Sequence, residues 1–356
     1  MQLSVLARTR TQIARQLGAR LLHASLLRPR LIGWRANPVD GQLCDEDLAA
    51  ILGFGDILGA TNMASHDPAK ARAMMAESSM MVEDEVCPSV RVQDRVLVEG
   101  QAHLAARYYV PKDLTDTSPG IVYFHGGGFT LGDLDTHDRY CQHLARDAGV
   151  RVIAIDYRLA PENPFPAAVE DGVAAFRCVA RRAKEFDMDP SRLAIMGDSA
   201  GGNLSAVIAH RTKKDSIRPA LQVLVYPAVD GTCSMKSHEL FAKGWILTAE
   251  QVEWFYHCYV GDDRATRVRP DVSPLYHPNF QGLPRALVYT AGFDPLRDEG
   301  IAYAEKLEKE GIPTRHYCFR SLTHGFVSMG GICPAARDAA LQIGQEVGRT
   351  LRELSA

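Results

Sequence analysis

The chain has 356 residues, 46% hydrophobic and 23% charged, the profile of a globular protein with a sizeable core. That balance excludes a disordered chain, a collagen-like repeat and a disulfide-stapled miniprotein. The net charge is only −3, yet residues 1–39 hold seven arginines (Arg8, Arg10, Arg15, Arg20, Arg28, Arg30 and Arg35) and no acid, which leaves 33 basic against 43 acidic residues in the remainder.

An acidic body lacks the broad basic field that a phosphate backbone requires, so no nucleic-acid partner is expected. The eight cysteines stand apart, with no CxxC pair and no clustered His/Cys spacing. Neither a zinc site nor a disulfide framework is indicated, and isolated thiols suit a reducing cytoplasm. No apolar run reaches the roughly 18 residues of a membrane span. Arginines interrupt the amino terminus throughout, so it does not read as a secretory signal.

Residues 1–85 read as helical throughout, a cap segment ahead of the main domain. Leu48, Ile51, Leu52 and Leu58 share one helical face, and Met74, Met75, Met80 and Met81 cluster further on. Within residues 1–39, Leu6, Ile13, Leu17 and Leu21 gather on one side with Arg8 and Arg15 opposite, while Arg10 and Leu22 break the pattern. Three readings follow: a lid extension paired with the acidic body, a basic amphipathic helix making peripheral contact with an anionic membrane, or an unstructured extension.

The catalytic domain is expected over 86–356. It opens with an antiparallel hairpin of strands at 89–98 and 103–110 around a Glu-Gly turn. Strands at 121–124, 152–155, 193–196, 221–226, 286–290 and 316–319 then alternate with helices at 138–147, 167–183, 202–212 and 301–310. That rhythm gives the fold class: α/β, a mostly parallel central sheet with helices on both faces. Residues 232–275 break it with Phe241, Trp245, Ile246, Leu247, Trp254, Phe255, Tyr256 and Tyr259, a second cap insertion placed over the carboxyl edge of the sheet.

Gly197-Asp198-Ser199-Ala200-Gly201 follows one strand and opens the next helix. This strand-turn-helix elbow holds a serine Oγ proud of the sheet, with a helix amino terminus behind it. Tight packing of a glycine-rich turn is the bland alternative. His125-Gly126-Gly127-Gly128-Phe129 follows the strand at 121–124 and offers unshielded backbone amides to an oxyanion. A nucleotide-phosphate loop is the rival there, but neither GxGxxG nor GxxxxGK[ST] is present. Asp294 and His324 each lie just past a strand, giving the chain order Ser199, Asp294, His324 expected of an α/β-hydrolase. Asp298 is the rival acid, one helical turn farther on. His125 is the rival base, though its place beside the glycines favours a hydrogen bond that holds the loop.

With these motifs assembled, the chain resembles the hormone-sensitive-lipase family of bacterial α/β-hydrolase esterases, the GDSAG branch. The resemblance rests on HGGGF at 125–129, DYRLAPENPFPAA at 156–168, GDSAGGNL at 197–204, DPLRDEG at 294–300 and HGF at 324–326. It covers about 85–335. It implies Ser199 as nucleophile, His324 as general base and Asp294 as its orienting acid. The amides of Gly127, Gly128 and Ala200, with Gly126 shaping the turn, would form the oxyanion hole. Arg158 and Glu162 are expected to form a partly buried ion pair supporting the elbow.

The implied reaction is hydrolysis of a small-molecule ester of short to medium acyl chain through an acyl-enzyme, with no cofactor and no metal. Phe129, Trp245, Met80 and Met81 are the candidate walls of the acyl pocket. An acyltransferase or amidase using the same acyl-enzyme, and a non-catalytic receptor on the same scaffold, are the competing functions; the retained triad speaks against the receptor. Some relatives dimerise, so a homodimer is a further expectation.

Overall fold

A computed structural model describes residues 28–57 and 67–354. The leucines, isoleucine and arginines of the proposed amphipathic helix at 6–22, and Leu58, lie outside the described residues.

One eight-stranded sheet organises the chain. Its strands are β1 (Val90–Glu99), β2 (Ala102–Pro111), β3 (Ser118–Phe124), β4 (Arg151–Ile155), β5 (Met188–Asp198), β6 (Leu221–Val225), β7 (Arg285–Phe293) and β8 (Thr314–Thr323), in the spatial order 1-2-4-3-5-6-7-8. β2 pairs antiparallel with both β1 and β4, and every other pairing is parallel. Only covered faces make such continuous apolar strands stable in water, and the side-chain period of two feeds both faces. Val122 and Phe124 enter one buried cluster while Ile121 and Tyr123 enter the other.

The first four helices are α1 (Arg28–Ile32), α2 (Glu46–Ile57), α3 (Pro68–Val82) and α4 (Asp138–Ala148). They are followed by α5 (Ala167–Arg181), α6 (Ala200–Thr212), α7 (Lys236–Leu240), α8 (Ala249–Val260), α9 (Arg264–Arg267), α10 (Arg297–Lys309) and α11 (Pro334–Glu353). α5, α6 and α10 supply buried residues to the Val122 face, and α4 and α11 to the Tyr123 face.

Two sequence expectations change. Residues 28–85 are not helical throughout: Val39 and Gln42 bridge across a tight turn at Asp40-Gly41, both with positive φ, so the chain reverses between α1 and α2. α11, absent from the predicted helices, runs for 20 residues. Its buried stripe is Ala336, Ala339, Ile343, Val347 and Leu351, spaced three and four residues apart as an amphipathic helix requires. Small residues suit the packing, because a Cβ at Gly348 would collide with the Ala148 carbonyl at the end of α4.

The segment between β6 and β7 holds the helices α7 to α9. Arg35 joins it to the amino-terminal segment. Its guanidinium, 2% exposed, donates to the Gly244 carbonyl from Nε (3.1 Å) and Nη2 (2.6 Å), and to Asp56 at 2.9 Å. The ring of Trp34 meets Trp245 edge-on at 5.4 Å.

Candidate active site

The elbow forms because β5 ends at Asp198 and α6 begins at Ala200, leaving Ser199 alone to make the turn. Ser199 adopts φ 55° and ψ −119°, a conformation costly for a residue with a Cβ. It is locked by Ser199 N–H donating to the Val225 carbonyl (2.8 Å) and by Asn203 N–H donating to the Ser199 carbonyl (3.0 Å). A Cβ at Gly201 would overlap the Phe124 carbonyl, so only glycine lets α6 start this close to β3.

Ser199 Oγ lies 2.9 Å from His324 Nε2, and His324 Nδ1 lies 2.8 Å from Asp294 Oδ2. The remaining Asp294 oxygen accepts the Leu296 amide at 2.9 Å. Asp294 is fully buried, whereas Ser199 and His324 keep 8% exposure, so the two groups that would meet a substrate retain access. A carboxylate on Nδ1 fixes the tautomer that leaves Nε2 free to accept the serine proton.

The rivals are placed elsewhere. Asp298 accepts the Ser237 amide (2.9 Å) and pairs with Arg297 (2.8 Å). His125 stacks on Tyr157 with ring centroids 4.4 Å apart, and its Nδ1 meets the Gly126 carbonyl at 2.8 Å. Burial pulls its pKa down to about 4, so its ring is neutral at pH 7. It supports the loop, as its position beside the glycines suggested.

Gly127 and Gly128 both take positive φ, 115° and 61°, and a Cβ on Gly128 would strike the Phe255 ring. The Gly127 carbonyl accepts the amides of Thr130 (3.1 Å) and Leu131 (2.8 Å), closing the loop on itself. Gly126 uses its amide on Asp198 Oδ1 at 2.8 Å, in keeping with a turn-shaping place. Ala200, the first residue of α6, carries one of the amides that a helix leaves unpaired at its start.

The remaining candidates divide. Phe129 stacks on Tyr259 of α8 with centroids 3.8 Å apart and is 3% exposed. Trp245 is buried against Trp34, Phe241 and Phe293, a packing role in the cap. Met80 is half-buried and Met81 is exposed in the last turn of α3. The expected Arg158–Glu162 pair does not form. Arg158 binds the buried Asp171 at 2.7 Å. Glu162 instead binds Arg72 of α3, whose guanidinium also donates to the Thr130 (2.8 Å) and Ala160 (2.9 Å) carbonyls. Arg72 therefore clamps α3 to the loop that follows HGGGF, a role invisible without knowing which helix lies over it.

Residues 121–328 match a family model described as an α/β-hydrolase fold. A carboxylic ester hydrolase, LipN of Mycobacterium tuberculosis, is 41% identical over 306 residues, 83% of this chain and 80% of that protein. An ethyl acetate hydrolase of Pseudomonas putida is 36% identical, covering 77% of this chain and 87% of that one.

The chain belongs to the hormone-sensitive-lipase-like family of α/β-hydrolase esterases. Among solved structures it is similar to a thermostable esterase from Pseudomonas putida (TM-score 0.84, 30% identity, covering 90% of this chain and 99% of that one). It is also similar to a lake-metagenome ester hydrolase solved with a phosphonate derivative (TM-score 0.83, 34% identity, covering 87% and 100%). Its activity is that of a serine carboxylesterase. Among the described residues, no helix is long and apolar enough to cross a membrane.

Proposed function

We propose that this esterase hydrolyses short- to medium-chain acyl esters, with Ser199 as nucleophile, His324 as base and acid, Asp294 as the group that orients it, and the amides of Gly127, Gly128 and Ala200 as the oxyanion hole. The hydrogen-bonded line from Ser199 Oγ through His324 to Asp294 carries this reading. Ser199 Oγ passes its proton to His324 Nε2 as it attacks the ester carbonyl. The amides receive the oxyanion, and His324 Nε2–H protonates the departing alkoxide. Water then attacks the acyl-enzyme with His324 again as base, and the acid leaves with Ser199 restored.

The chain-length preference is supported by Phe255, whose ring is packed directly against Gly128 of the HGGGF loop. The similarity to a relative named for ethyl acetate points the same way. Hydrolysis of p-nitrophenyl esters of about two to sixteen carbons tests both parts. A maximum at about four to eight carbons, and loss of activity in Ser199→Ala, is expected; undiminished activity in Ser199→Ala overturns the assignment.

We infer that residues 28–82 act as a lid over the domain that begins near residue 86. Arg35 donates to the Gly244 carbonyl (2.6 Å) and Arg72 binds Glu162 (2.6 Å), contacts from this segment to the rest of the chain that support a lid. Co-sedimentation with anionic liposomes, with and without residues 1–39, separates this from membrane attachment. Lipid binding lost on truncation would favour attachment.

A further inference from the structure

One buried carboxylate stands next to the nucleophile and takes no part in the proton relay. Asp198, 4% exposed, lies between Gly197 and Ser199 at the end of β5. Its Oδ1 accepts the Gly126 amide at 2.8 Å and the hydroxyl of Tyr123 on β3, with His137 Nε2 at 3.6 Å. His137 immediately precedes α4 and is itself only 4% exposed. A buried carboxylate is strongly disfavoured unless its oxygens are met by donors or a positive charge. Here burial would raise the pKa, but the charge and hydrogen bond of His137, with the Tyr123 hydroxyl, outweigh it and hold Asp198 below its ordinary value. The carboxylate also fills the space a side chain at Gly126 would need, since a Cβ there would collide with Asp198 Oδ2.

The next peptide is held from its other end. The Gly126 carbonyl sits 2.8 Å from His125 Nδ1. The neutral ring donates from Nδ1, because the carbonyl can only accept. A peptide unit is planar, so fixing the Gly126 oxygen fixes the direction of the Gly127 N–H that points the opposite way. The His125 ring cannot drift, being stacked on Tyr157, whose hydroxyl donates to the His125 carbonyl at 2.8 Å.

We propose that Asp198 and His125 clamp Gly126 from its two sides, at its amide and at its carbonyl, and so aim the Gly127 amide at the reacting oxygen, which makes both positioning residues for the oxyanion hole. The proposal rests on the oxyanion-hole reading above. Asp198 anchors the amide on one side of Gly126 and His125 the carbonyl on the other. Gly128 needs no such help, because the Gly127 carbonyl is already fixed by two backbone amides.

The test compares Asp198→Ala, Asp198→Asn and His125→Phe with the full-length natural chain, using steady-state kinetics and the affinity of an aryl boronic acid, which makes a tetrahedral adduct on serine. Loss of one aimed donor is worth roughly 100- to 1,000-fold in rate. Asp198→Ala is expected to lower kcat by about that factor with KM within about threefold, and to weaken the boronate by a comparable factor. Asp198→Asn keeps an acceptor for the Gly126 amide and is expected to recover at least about tenfold of the loss. His125→Phe, which keeps a ring against Tyr157 and removes the Nδ1 donor, is expected to lose about tenfold or more in kcat alone.

A folded Asp198→Ala with kcat within about threefold of the natural chain, or with unchanged boronate affinity, overturns the clamp. If that variant does not fold, a His125→Phe protein with undiminished kcat overturns it instead. Should Ser199→Ala leave hydrolysis intact, the nucleophile reading fails whatever Asp198 does. Should it abolish hydrolysis while the clamp variants remain active, only the clamp fails.

Discussion

The HGGGF loop with Ser199, and the helices before β1 and between β6 and β7, are built from different materials. Around Ser199 the backbone is tightly fixed: Gly127, Gly128 and Ser199 take positive φ, and the Gly127 carbonyl is held by the amides of Thr130 and Leu131. Those helices come from two distant segments, joined by Arg35 to the Gly244 carbonyl and by the edge-on contact of Trp34 with Trp245, while Arg72 ties the first segment to Glu162. Backbone geometry leaves little room for substitution, because the φ angles and close contacts exclude a Cβ. Side-chain packing allows graded change, since neighbouring rings can shift to fill a gap.

That contrast predicts unequal responses. Gly128→Ala should lower kcat by at least about 100-fold, through both the positive φ and the collision with Phe255. The double variant with Phe255→Ala should recover only a small part, because it removes the collision and leaves the backbone strain. Full recovery in steady-state kinetics would show that the loop is a side-chain problem after all.

Arg35→Ala should cost about 2 kcal/mol in chemical denaturation, because it leaves the Gly244 carbonyl and Asp56 without their donor. Its kcat should stay within about threefold, since nothing near Ser199 depends on it. A larger kinetic than thermodynamic effect would tie the cap to chemistry and weaken the contrast. Phe255→Ala, by opening space beside Gly128, should shift the preferred p-nitrophenyl ester to a longer chain with less than about tenfold change in kcat. An unmoved chain-length profile would place the acyl wall elsewhere.

The smallest expected effect concerns the anchor between the two regions. His238 of α7 meets the buried Glu299 of α10 at 2.8 Å, while Glu299 also accepts the amides of Val229 (2.7 Å) and Asp230 (3.1 Å). Burial pushes Glu299 up to about 7, against the pull of His238. Burial pulls His238 down, but the Glu299 hydrogen bond and charge outweigh it, leaving its pKa raised. Both folded values therefore exceed the ordinary 4.5 and 6.5, and the folded state holds more protons than the unfolded one between pH 4.5 and about 7. Stability from this pair is greatest at low pH and declines as pH rises through that window. Thermal melts should show that decline, and Glu299→Gln should flatten it; an unchanged slope would contradict the assignment.

The backbone half of the site was largely legible in the sequence, because its chemistry is local. The elbow, the HGGGF loop and the order Ser199, Asp294, His324 depend on glycine placement and strand ends that neighbouring residues reveal. Contacts between distant segments were not legible. Arg158 and Glu162 share the DYRLAPENPFPAA stretch that carries the resemblance, whereas the partner of Glu162, Arg72, comes from a helix 90 residues earlier. Asp198 stood inside a recognised motif, but its bond to Gly126 appears only when β3 and β5 lie side by side. Trp245 read as a pocket wall from aromatic density alone, and density does not say which way a ring turns.

The central claim is that Ser199 is the activated nucleophile, and covalent capture tests it most directly. The protein is treated with diethyl p-nitrophenyl phosphate and the modified peptide is located by mass spectrometry. The account predicts one phosphorylated residue, Ser199, appearing in step with loss of esterase activity, and no labelling in His324→Ala on the same timescale. Inactivation with the adduct on any other residue, or equal labelling of Ser199 without His324, would contradict it.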